Sequence, residues 1–214
     1  MRTPFLRNLI CVAALSAVAS SVFAHDDHPP PWRGQPGTTY QHWQFGQPPT
    51  PGQPYLPDGG WQQNPGLTAP PLLLPGAYEW LPTFEGMTGV ICLPPGSRTT
   101  FRIPNYDDSG HDKEIRVQFT WWSAAADTIV EAFNSDHSPA QITTEGIGGG
   151  WYNSVATFML DGCPDFENVH FDNRTSVPIY LDQVVIDTLC GVPEPATMAA
   201  LGLGLAFMAR RKKK

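Results

Sequence analysis

Between Ala77 and Leu189 no stretch of the chain sustains a hydrophobic period of 3.6 residues, which argues against a helical core. Short runs rich in β-branched and aromatic residues recur instead: Ala77–Phe84, Val90–Leu93, Thr99–Ile103, Glu114–Trp122, Thr128–Phe133, Ser154–Leu160, Asn168–Phe171 and Ile179–Leu189. Turn-forming clusters separate them at Pro94-Pro95-Gly96, Asn105–Gly110, Gly146–Gly150 and Asp161–Pro164. Many short strands punctuated in this way predict an all-β fold, one β-sandwich domain over residues 76–190. A body of this length suffices for one core.

The clearest strand also predicts which side chains face that core. In Ile115–Trp122, alternation puts Ile115, Val117, Phe119 and Trp121 on one face and Arg116, Gln118, Thr120 and Trp122 on the other. The apolar set is the core face, so Trp122 points away from it, either under a covering loop such as the proline-rich segment or free as a platform for a sugar ring. In Ile179–Leu189, strict alternation puts Tyr180, Val184 and Ile186 opposite Ile179, Leu181 and Val185, as in a strand covered on both sides. Residues 25–75 are rich in Pro, Gly and Gln; residues 38–45 read as their one strand, 25–31 as a loose terminus, and 46–75 as a stiff connection laid over the domain.

The two ends of the chain carry addresses rather than fold. Arg2 and Arg7 precede the apolar stretch Leu9–Ala19, and Val22-Phe23-Ala24 supplies small residues for cleavage between Ala24 and His25, which predicts a signal peptide over 1–24. At the other end Val192-Pro193-Glu194-Pro195 leads into the apolar run Ala196–Ala209 and then Arg210-Arg211-Lys212-Lys213-Lys214. As a helix the run is roughly 21 Å long against a hydrocarbon core of about 30 Å, a marginal span that snorkelling basic stems would extend. The cations would stay cytoplasmic and leave the body outside. This order of tag (192–195), membrane helix (196–209) and basic end (210–214) resembles the PEP-CTERM sorting signal of Gram-negative, polysaccharide-producing bacteria, here over residues 191–214. The resemblance implies recognition by an exosortase, with the inner membrane as a transient station and the cell surface or extracellular matrix as destination. The phrases PGSRTTFRIPN (95–105), KEIRVQFTWW (113–122) and YLDQVVIDTLC (180–190) are similar to bodies found ahead of such tails, which implies a jelly-roll-like exported domain.

Charge narrows the partners. Of 13 Lys and Arg, two fall in the signal peptide and five in the tail, whereas 19 of 20 Asp and Glu fall in residues 25–193, giving that body a net charge of −13. Such a surface repels phosphate backbones and speaks against nucleic acid. Three cysteines remain after the signal peptide, Cys92, Cys163 and Cys190; export permits one disulfide among them, with three pairings open.

Catalytic signatures are weak. His25, with a free amine after cleavage, invites comparison with a copper-binding histidine brace, but His28 runs directly into Pro29-Pro30-Pro31 and no metal site is expected. Glu167 and the Asp107-Asp108 pair are carboxylates without a glycosidase pattern, and no G-x-S-x-G or H-E-x-x-H occurs. Asn105–Asp112 clusters oxygen ligands without EF-hand spacing, and Asn173-Arg174-Thr175 has the form of a glycosylation acceptor. No cofactor and no catalysis are expected, a polysaccharide-active hydrolase or copper oxidase being the remote alternative. Trp122, Trp151 and Tyr152, beside Gly148-Gly149-Gly150, are candidate glycan-stacking residues, although most tryptophans serve as core. The reading is therefore a structural or adhesive protein of the envelope or exopolysaccharide matrix, with a carbohydrate-binding module as the alternative.

Overall fold

The structure, a computed structural model, describes residues 26–62, 69–105, 112–124, 133–134, 141–164 and 166–192. The expected signal peptide with His25, the tag residues Pro193–Pro195, the membrane helix and the basic end lie outside them, as do residues 106–111 and most of the strand expected over Thr128–Phe133. All regular structure among the described residues is β, so none of it is a helix long and apolar enough to cross a membrane. The strands are β1 (Thr38–Trp43), β2 (Gly60–Gln62), β3 (Leu72–Leu73), β4 (Glu79–Phe84), β5 (Met87–Leu93), β6 (Arg98–Pro104), β7 (Asp112–Trp122), β8 (Phe133–Asn134), β9 (Gln141–Gly148), β10 (Trp151–Leu160), β11 (Phe166–Asp172) and β12 (Ile179–Val192).

They form two antiparallel sheets. The larger runs β2-β1-β12-β7-β10-β9, and the smaller runs β3-β6-β11-β8. β12 has β7 along one side and two partners on the other: β5 pairs with Ile179–Leu181 and β1 with Val184–Leu189, while β4 extends the sheet from β5. The sheets share one core. Ile115, Val117, Phe119 and Trp121 of β7 are all buried in it, as alternation requires, with Phe158 of β10 and Phe101, Ile103, Val169 and Phe171 of the small sheet. Trp43 meets Phe101 edge-on at 4.8 Å, and Phe119 meets Phe171 at 5.1 Å; such pairs contribute about 0.5–1.5 kcal/mol each beyond the apolar area they bury.

β12 departs from strict alternation. Its pairing with β7 shifts between Leu181 and Gln183, so the inward set is Ile179, Leu181, Val184 and Ile186, and Tyr180 faces the other side. One extra residue at Asp182 reverses the parity that the sequence pattern assigned to Val184 and Ile186. The bulge falls where the neighbour changes from β5 to β1.

The N-terminal residues are tied down. Arg33 forms ion pairs with Asp26 and with Asp187, whose carboxylate is fully buried on the outer face of the large sheet. The His28 backbone N–H donates to Gln118 Oε1 at 3.0 Å, and Gln118 Nε2 donates to Asp26 Oδ1 at 3.0 Å. The loose terminus expected over 25–31 is thus, from Asp26 on, a polar strap across β1, β12 and β7. The connection after β1 also docks: Asp58 accepts from the backbone N–H groups of Gln44, Phe45 and Gly46, and Leu73 and Tyr55 exchange backbone hydrogen bonds.

Candidate functional site

The sorting tag begins inside the sheet. Val192, its first residue, is the last residue of β12 and pairs with Asp112 at the start of β7. Just before it, Cys190 N–H donates to Gly37 O at 3.0 Å, and Cys190 is bridged to Cys163, 27 residues earlier, with 5.9 Å between the two Cα atoms. Of the three pairings the sequence left open, the structure makes this one and leaves Cys92 as a free, buried thiol; burial pushes that thiol's pKa up, away from reactivity. The disulfide staples the last strand to the β10–β11 turn where the chain leaves the fold, and closing such a loop stabilises by about 3 kcal/mol.

Beside the staple lies a buried cation. Lys113 pairs in register with Cys190, its side chain is fully enclosed, and Glu167 Oε1 approaches Nζ at 3.7 Å. Burial brings the Lys113 pKa down to about 7, with Glu167 opposing the shift. Glu167, considered as a possible glycosidase carboxylate, is therefore engaged with a lysine at the inner end of the core.

The three candidate stacking residues are not brought together. Trp151 and Trp122 are directly opposed across β10 and β7 on the outer face, whereas Tyr152 packs against the main core with its ring stacked on Trp121 at 4.5 Å. Trp151 is 3% exposed and its indole N–H donates to Glu85 O. Trp122 is half-buried by Phe84 and Tyr180, so the β4–β5 hairpin covers it rather than the proline-rich segment. Gly150 makes the fit possible: its φ is +82°, and a Cβ there would stand 2.4 Å from Trp122 Nε1. The pair forms a plug, and Trp151 offers no face to a sugar.

Farther along the outer face is an open polar cleft of about 280 Å³, lined by His28, Arg116, Thr143, Glu145, Asn153 and Val155. His28 Nε2 bonds Glu145 Oε1 at 3.3 Å across it, and the Oδ1 of Asn153, a residue 6% exposed, has no hydrogen-bond partner among the described residues. The same N-terminal strap carries the Arg33–Asp187–Asp26 cluster. Burial pushes the Asp187 pKa up to about 6 against the pull of Arg33, and the hydrogen bonds to both carboxylates hold the Arg33 pKa above its usual value despite desolvation. Sequence reading missed this cleft. The outward alternation of Arg116 and Gln118 was the available sign, but the docking of Asp26 and His28 has no local signature.

Other motifs resolve into structure. Asn173 Nδ2 donates to Leu93 O at 2.7 Å and Val177 O at 2.8 Å, while Oδ1 accepts from Thr175; this buried turn has no amide free for a glycan. Among the described residues no three His, Cys, Asp or Glu side chains are placed to hold a metal ion.

Compared with known proteins, the chain finds no match among curated sequences. Its residues 191–214 do match a family model, the PEP-CTERM protein-sorting motif, and the match opens at Gly191, inside β12. The chain thus carries at its C-terminal end the sorting motif of exosortase-processed, secreted proteins.

Proposed function

We propose that the chain is an exported, exosortase-sorted structural or adhesive protein of the cell envelope or exopolysaccharide matrix of a Gram-negative cell. In this reading the two stacked sheets are a jelly-roll-like β-sandwich, residues 1–24 and 196–209 insert in the inner membrane of the precursor, and no catalysis is assigned to the body. The observation that carries the reading is the continuity of β12 with the sorting motif. Three residues, Pro193–Pro195, separate the sheet from the apolar run, so Val192 and Ala196 are at most about 14 Å apart. A precursor so built holds its disulfide-stapled end against the membrane, where an exosortase would meet it. Replacing Arg210–Lys214 with serines removes the basic stop and is expected to leave unprocessed chain in the membrane fraction; unchanged processing and surface delivery would reject the reading.

A second reading, a carbohydrate-binding module, is favoured by the outer-face cleft rather than by the tryptophans. Arg116, Asn153, Thr143 and Glu145 offer donors and acceptors over the apolar Val155, a composition suited to one sugar unit. Binding of the whole protein to a polysaccharide panel that is lost in Arg116→Ala supports this reading, and no binding to any polysaccharide removes it.

A further inference from the structure

The end of the fold from which β12 emerges holds three polar side chains that sorting does not use. Lys113 projects from β7 to the inner face between Cys190 and Leu160, its register partners. Its Nζ has no hydrogen-bond partner among the described residues, and Glu167 Oε1 lies 3.7 Å away. Asn105 follows β6 with the inward parity of Phe101 and Ile103 and is 0% exposed. Its Nδ2 donates to Pro164 O at 2.9 Å, which fixes the amide, while its Oδ1 is buried with no partner among the described residues. A buried acceptor without a hydrogen bond costs about 1–3 kcal/mol, and beside it the buried Lys113 is held by an ion pair alone.

Glu167 links the two. It opposes Ile103 in the β6–β11 ladder, so Asn105 is its diagonal neighbour on the same inner face, at a spacing of about 7 Å that side chains can bridge. Consecutive residues draw the two segments together: Cys163 Sγ lies 3.9 Å from Asp112 O, and Pro164 O holds the Asn105 amide. Lys113 from the large sheet thus lies 3.7 Å from Glu167, and Asn105 stands diagonal to that glutamate on the small sheet.

We propose that Lys113 and Asn105 form an isopeptide crosslink between the two sheets, with Glu167 carrying the proton. Nζ as the neutral amine attacks Cγ of Asn105; a C–N bond forms, the bond from Cγ to Nδ2 breaks, and ammonia leaves. The proton lost by Nζ passes through the Glu167 carboxyl group to the departing nitrogen, so the step needs no oxidant, cofactor or energy source. The enclosed site favours this chemistry, since burial brings Lys113 to a pKa of about 7 and makes the neutral amine accessible near neutrality. The crosslink stands beside the Cys163–Cys190 bridge, so the anchored end of the domain is closed by two covalent ties.

The test is the mass of the whole protein's peptides after reduction and trypsin digestion. Asn105 and Lys113 lie between the cleavage points after Arg102 and Arg116. The expected product is a single peptide over residues 103–116, uncut after Lys113 and lighter by one ammonia. Asn105→Ala is expected to restore cleavage after Lys113, Lys113→Met to restore the lost ammonia, and Glu167→Gln to leave the peptide unlinked while Cys163–Cys190 still forms. A wild-type peptide over 103–113 of full mass would overturn the proposal even if every variant failed to fold. Loss of ammonia with cleavage after Lys113 retained would also overturn it, since that signals a succinimide at Asn105 and not a crosslink.

Discussion

The outer face of β12 is covered in two ways. Over its first residues the hairpin of β4 and β5 folds an aromatic plug, with Phe84 stacked on Tyr180 at 3.7 Å and Trp122 and Trp151 beside them. Beyond the bulge the cover is ionic: Arg33 reaches Asp187 Oδ1 at 2.5 Å and Oδ2 at 2.6 Å, and its guanidinium sits 4.2 Å above the Tyr40 ring. The plug holds by expelling water and is indifferent to salt and pH. The strap holds by compensating a charge that burial would otherwise penalise, so it depends on protonation. One strand thus has an apolar cover at its start and, beyond the bulge, a polar strap whose His28 also lines the cleft.

The largest loss is expected from Trp151→Ala, which empties the plug and removes the bond to Glu85. Denaturant unfolding should show about 3–5 kcal/mol of destabilisation, equal at low and high salt. A salt-dependent loss would contradict an apolar cover. Arg33→Ala comes next, at about 3 kcal/mol near pH 8, because it leaves Asp187 buried and unpaired. Asp187 has a folded pKa of about 6, above its ordinary value, so whatever stability its proton supplies is complete below about 4 and lost as pH rises through 6. Arg33 opposes that loss. The cost of Arg33→Ala should therefore shrink as pH falls below 6, and a cost constant from pH 4 to 8 would break the comparison. The smallest effect is Gly150→Ala, about 1–2 kcal/mol, from a side chain at φ +82° pressed on Trp122. Tryptophan emission should shift with it, and an unchanged spectrum would mean that the turn does not seat the plug.

Legibility in the sequence followed the same division. The inner face was readable because β7 alternates without interruption, and its four apolar residues all reached the core. β12 was found as a strand, but a single bulge at Asp182 reversed the expected faces of Val184 and Ile186, and periodicity carries no sign of such an insertion. β9 escaped notice because Gln141–Gly148 is a largely exposed edge strand whose two apolar residues, Ile142 and Ile147, do not alternate in phase. The strap and the cleft depend on Asp26, His28 and Arg33 meeting residues more than eighty positions away, which no local signal encodes. Lys113 shows the converse case: it precedes the strand expected from Glu114, and its charge argues against the buried, inward place that it takes in β7.

The sorting claim is tested most directly by the mass and location of the protein recovered from the cells that make it. The account predicts a surface or extracellular species whose sequence begins at His25 and ends within a few residues after Val192. The full 214-residue chain recovered uncut from the cytosol would contradict it.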